Sequence, residues 1–191
     1  IISLKDQKPI TERLNLSARN ISEASFWKTI GALNTGKDMF TLATIANMWA
    51  KGAPYDFLKS AELHNHICPG LTSGYLLAHY ILNKYPLQND ERYTVVSCPV
   101  WCKEEALQVV LDCTPGKKRM VVKPLCKKQQ KQISIKNPAG MLLIWNAKKK
   151  SGKGVVLSFD FDRLRRLAPK DAPKAAMVLA VADYLDRPDQ F

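Results

Sequence analysis

A chain of 191 residues, 46% hydrophobic and 24% charged, has ordinary globular composition and can bury a core without disulfide staples. No apolar run approaches the ~18 residues that a membrane span needs, and the longest, "MLLIW" and "AAMVLAVADYL", are core-sized, so no membrane partner is expected. The net charge of +12 is gathered in "GKKR" (116–119), "KKQQK" (127–131) and "KKKSGK" (148–153). That points to an anionic partner, nucleic acid or a small acidic molecule, or else to solvated loop tips. Lysine outnumbers arginine, and neither an RNA-binding aromatic signature nor a recognition-helix pattern accompanies the runs, so nucleic acid is the weaker reading.

Residues 1–36 read as a polar lead-in. Within it "SEASFWKTIGALNTG" has the look of a short helix capped by Ser22 or Ser25 and closed near Gly36. "KDMFTLATIANMWAKG" (37–52) carries an apolar stripe through Met39, Phe40, Ala43, Ile45, Ala46 and Trp49, with Gly52 as stop signal. After Pro54 a further helix is expected, with Asp56 as cap and Phe57, Leu58, Ala61 and Leu63 inward. "LTSGYLLAHYILNKY" (71–85) is helical by period and ends before Pro86. "RYTVVSC" (92–98) reads as a strand and "KEEALQVVLDC" (103–113) as a helix.

In the last third the period changes. "RMVVKPL", "KQISIKN", "GMLLIWNA" and "GKGVVLSFDF" predict four strands in an antiparallel meander, followed by helices over "DFDRLRRLA" and "DAPKAAMVLAVADYLD", the last capped by Asp171. The order argues for an α+β fold: one domain with helices packed on a largely antiparallel sheet, residues 53–191, preceded by a helical extension, residues 1–52. Neither a dinucleotide-binding glycine turn, a P-loop, a nucleophile elbow nor an internal repeat is present.

The soft side chains concentrate in "HNHICPG" (64–70), which holds two of the three histidines. If extended, the alternation points His64, His66 and Cys68 to one side. Pro69 favours extended backbone at Cys68, and the helix that follows would place amides beside its sulfur. A thiolate with imidazoles suits zinc or another transition metal, and it equally suits a reactive thiol, with Cys68 as catalytic nucleophile and His66 as its base. The bland alternative is a loop whose histidines bond to backbone while Cys68 packs as a small apolar group. His79, on the apolar face of its helix, reads as a satisfied core histidine.

An odd count of five cysteines, Cys68, Cys98, Cys102, Cys113 and Cys126, argues for free thiols or ligands rather than a disulfide framework. A reducing cytoplasm is the default expectation, with a removed leader left open. Cys102 and Cys113 fall at opposite ends of one predicted helix, so that helix alone cannot bring both to one metal. Lys117, beside the Pro115–Gly116 turn, is placed to neutralise an anionic ligand or to be a plain surface lysine. Spacing supports an open Cys/His site rather than a closed four-ligand one.

"HNHICPGLTSGY" resembles the H-x-H-x-C-P-G-x-x-x-G-Y signature of the FmdE family, named for formylmethanofuran dehydrogenase, and "CKEEALQVVLDCTPGKKRM" is similar to its second block, C-x-x-D-A-I-Q-x-x-x-G-C-T-x-G-K-G-N-L. Cys102, Ala106, Gln108, Cys113, Thr114, Gly116 and Lys117 match. Glu105 replaces an Asp, Asp112 and Lys118 replace glycines, and Arg119 replaces an Asn, so the loop after Cys113 is expected to be less free to take left-handed backbone angles. The resemblance covers about residues 55 to 145.

The resemblance implies an α+β domain, often dimeric, from archaea and anaerobic bacteria. It is linked to molybdenum or tungsten formylmethanofuran dehydrogenase, and so to one-carbon metabolism and methanogenesis. It implies a metal cleft, zinc first, with His64, His66 and Cys68 as ligands and Cys102 and Cys113 completing or lining it. Tyr75, which closes the first block, and Lys117 would face a small anionic ligand.

Overall fold

The computed structural model describes residues 2–5, 8–33 and 35–191. The lead-in holds an antiparallel hairpin, β1 (Ile2–Lys5) and β2 (Lys8–Thr11), and two short helices, α1 (Ala18–Ile21) and α2 (Ala24–Ile30). α2 ends at Gly31 rather than Gly36, and Ser25 lies inside it with Glu23 at the cap position. Gly36 instead opens a 3₁₀ turn pressed against the Ile30 carbonyl, where an added Cβ would lie 2.2 Å from that oxygen.

α3 (Met39–Ala50) stops at Gly52, whose φ of +74° lets Ala53 N donate to Met48 O at 3.0 Å. Its buried face is Met39, Ala43, Thr44 and Met48, whereas Trp49 is 70% exposed. α4 (Tyr55–His64) starts after Pro54, so Asp56 sits in its first turn rather than at the cap. Its carboxylate accepts from Tyr75 Oη (3.1 Å) and pairs with His79 Nε2 (2.9 Å), which satisfies His79 as expected. Leu63 faces solvent.

α5 (Pro69–Lys84), β3 (Glu91–Ser97) and α6 (Lys103–Leu111) fall where period and propensity put them. Then come β4 (Met120–Val122), α7 (Lys127–Lys131), β5 (Pro138–Asn146), β6 (Ser151–Ser158), α8 (Phe161–Arg165) and α9 (Lys174–Val181). "KQISIKN" forms no strand. Ile135 is exposed there and most of its neighbours are solvated, so the alternation has no face to bury and β propensity alone does not order it. Asp160 caps α8 through Asp162 N and Arg163 N, while Pro173, not Asp171, precedes α9.

The main sheet has the order β4-β3-β5-β6, antiparallel except for the parallel β3–β4 pair. The fold is α+β. Tyr93, Val95, Leu142, Ile144 and Leu157 bury the inner sheet face against Leu76, Leu77 and Ile81 of α5 and Leu107 and Leu111 of α6. A second cluster joins Ile21, Ala43, Met48, Phe57, Leu71, Tyr75 and Val178, so the N-terminal helices share one core with α4, α5 and α9. Met141, Trp145, Val156 and Val121 remain exposed on the outer sheet side. Among the described residues no helix is long and apolar enough to cross a membrane.

Candidate metal centre

His64 is the last residue of α4, and Asn65 turns the chain with φ +67°. Ile67 is fully buried and its amide donates to Thr44 Oγ1 (3.2 Å), which fixes the loop against α3. Cys68 then takes extended angles, φ −129° and ψ 165°, as expected before proline, and caps α5 by accepting from Leu71 N at 3.3 Å.

Cys102 arrives from the other side, as the residue preceding α6. Gly70 and Gly74 on α5 admit it. A Cβ at Gly70 would lie 3.1 Å from Cys102 Cβ, and one at Gly74 would lie 2.4 Å from the Lys103 carbonyl oxygen. The 98–102 loop is pinned from within. Lys103, fully buried, donates from Nζ to Ser97 Oγ (2.7 Å), Pro99 O (2.6 Å) and Glu104 Oε1 (2.5 Å) and lies 3.7 Å from the Trp101 ring centre. Ser97 Oγ also bonds Glu104 Oε1. Burial pulls the Lys103 ammonium below its ordinary pKa, and Glu104 acts against that. Trp101 Nε1 donates to Ser73 Oγ (2.9 Å), tying the loop to α5.

The result is a convergence of three soft donors: one ligand atom from each of His64, Cys68 and Cys102, all within 4.8 Å of one another. Donors of a tetrahedral zinc lie about 3.6 Å apart, and His64 Nε2 to Cys68 Sγ is already 3.5 Å. Burial, then Cys68, push the Cys102 thiol up to about 11. Glu105 Oε1 lies 3.7 Å from His64 Nδ1, a carboxylate behind the imidazole as in many metal sites. Its other oxygen, Oε2, is buried without a hydrogen-bond partner among the described residues. The donor set and the carboxylate behind His64 both fit a cation.

The other expected residues lie elsewhere. His66 is outside the group of three, with its ring 4.3 Å from His64's and 5.6 Å from Phe40's; burial, then His64, lower its pKa. The helical end of α4 replaces the expected extended run, so His64 and Cys68 meet across a turn rather than by alternation. Cys113 is fully buried in the sheet-side core, its Sγ 3.6 Å from Leu111 O, and burial raises it to about 11. Lys117 is on the surface, bonded to both Asp112 carboxylate oxygens at 2.5 and 2.6 Å. Tyr75 points at Asp56, and burial raises its pKa strongly. Asp112 and Lys118 both take φ +56° without glycine. The roles of Lys103 and Glu105 are not legible in the sequence; the run of three charges, "KEE", that opens the helix is the available signal.

The family model described as "FmdE, Molybdenum formylmethanofuran dehydrogenase operon" matches residues 63–184, more than half of the chain. The chain belongs to the FmdE family. The FmdE span opens at the residue before His64 and contains all three converging donors and Glu105, while α1, α2 and α3 lie outside it. Among curated proteins no match to the chain is found.

Proposed function

We propose that this chain is a metal-binding accessory protein of the FmdE type, holding zinc or a similar transition ion through His64, Cys68 and Cys102. The observation that carries the proposal is the meeting of these three donors within 4.8 Å of one another, with Glu105 Oε1 3.7 Å behind His64. Three protein ligands leave a fourth position for a small anionic ligand, as open zinc sites do. We propose further that the protein works beside molybdenum or tungsten formylmethanofuran dehydrogenase in one-carbon metabolism, in the cytoplasm and as a homodimer; the family's description, which names that enzyme's operon, supports the first of these.

Elemental analysis of protein purified under reducing conditions tests the reading. One ion per chain is expected, falling to background in Cys68→Ala and Cys102→Ala. Stoichiometric metal in both variants would end the proposal. A second reading rests on the 3.5 Å Cys68–His64 contact, which also describes a thiol beside a base. Selective alkylation of Cys68 with turnover in metal-free protein favours that enzyme, whereas protection of Cys68 by added metal favours the metal site.

A further inference from the structure

All five cysteines are free, and the fold sorts them. Cys113 is fully buried on the sheet side and Cys126 is exposed ahead of α7. Cys68 and Cys102 are brought sulfur to sulfur, no more than 4.8 Å apart, where the starts of α5 and α6 meet. Protein contacts alone hold them there. The Ile67 amide on Thr44 fixes one side, and the bonds of Trp101 and Lys103 fix the other. The sulfurs of a disulfide lie about 2 Å apart, so closing this gap takes a shift of under about 3 Å, shared between two side-chain rotations. Gly70 leaves room for it, since a Cβ there would lie 3.3 Å from Cys102 Sγ. Access is unequal: Cys102 is half-buried, whereas Cys68 is 9% exposed.

We propose that Cys68 and Cys102 are the site of a reversible disulfide, made at the expense of the ion, which puts metal loading under the control of a peroxide. The inference rests on the metal reading above and adds the regulation of that site. Cys102, the more accessible thiol, gives a sulfur electron pair to one oxygen of hydrogen peroxide. The O–O bond breaks, Cys102 becomes a sulfenic acid and one water leaves. Cys68 sulfur then attacks Cys102 sulfur, the S–O bond breaks, the S–S bond forms and a second water leaves. Two thiols thus lose two electrons and two protons, and the peroxide becomes two waters. In the loaded protein both sulfurs enter as thiolates, so the two protons come from solvent. The thiolate is the ligand form of cysteine, so the bridge removes two of the three donors and leaves His64 alone.

Treating reduced, zinc-loaded protein with one equivalent of hydrogen peroxide tests this, with release followed by a chromogenic chelator and products by peptide mass spectrometry. One ion per chain should be released as a Cys68–Cys102 bridged peptide appears, and a dithiol reductant should restore both thiols and zinc uptake. Metal-free protein should form the same bridge, and Cys126→Ser should behave as wild type in both states. Metal-free Cys102→Ser should form no bridge from Cys68, its melting temperature showing that it is folded. Both thiols surviving in metal-free protein, a bridge to Cys98 instead, or loaded protein that keeps its zinc under peroxide overturns the switch and leaves the metal centre standing. Reduced wild-type protein that takes up no zinc or other transition ion overturns the metal reading, and with it any control of loading.

Discussion

A carboxylate oxygen buried without a partner is costly, and Glu105 Oε2 is one. Its sister oxygen lies behind His64, whose opposite nitrogen faces Cys68. This arrangement orients the imidazole, the carboxylate standing behind a ligand rather than on the ion. Glu105→Gln retains the shape and removes the charge, so metal affinity should fall about 10- to 100-fold, read by competition with a chromogenic chelator. The same substitution should leave the melting temperature of metal-free protein level or higher, since it lowers the cost of burying an oxygen that has no hydrogen bond. At this scale the sequence was half legible. Cys68 before Pro69 at a helix start announced itself, because proline fixes the backbone locally. Glu105 did not, because its place behind His64 depends on what tertiary packing brings opposite it.

Among elements, the α5–α6 contact sets the centre. Gly74 lies under the Lys103 backbone, where an added methyl would meet Cα at 2.5 Å and the carbonyl oxygen at 2.4 Å. Backbone cannot swing aside as a flexible side chain can, so Gly74→Ala must push α6 off α5 and draw Cys102 away from Cys68. Chemical denaturation should show a loss of about 1–3 kcal/mol, accompanied by loss of bound metal. Gly70→Ala meets the Cys102 side chain at 3.1 Å, a contact that can yield by a few tenths, so it should weaken metal binding with less damage to stability. The helices α3 to α6 and strand β3 were readable because their periodicity is reinforced by real burial. "KQISIKN" misled because alternation without a core to face predicts a strand that nothing stabilises, and the sheet gained its fourth member from β3 instead.

For the molecule as a whole, the two buried clusters are not independent. α5 supplies Leu71 and Tyr75 to one and Leu76, Leu77 and Ile81 to the other. Truncation in either should therefore move the same transition. Phe57→Ala and Ile81→Ala are each expected to cost about 2–5 kcal/mol, seen as a single cooperative melt by both circular dichroism and tryptophan fluorescence; two resolved melts would show that the clusters unfold separately. The α+β class could be read from element order alone. What could not be read was the close joining of α1 and α3 to the core, since Ile21, Ala43 and Met48 show their burial only once α4, α5 and α9 pack against them.

Cys68 and Cys102 sit at the starts of α5 and α6, and all of α5 and β3 lies between them in the chain. An ion bridging the two sulfurs would thus clasp a loop containing the helix shared by both clusters and a central strand of the sheet. Such a clasp limits how far that loop can open, in the manner of a cross-link that chemistry can undo. Taking the ion away would then be felt well beyond its ligands, in the backbone of β3, so loading state would govern how readily the sheet breathes.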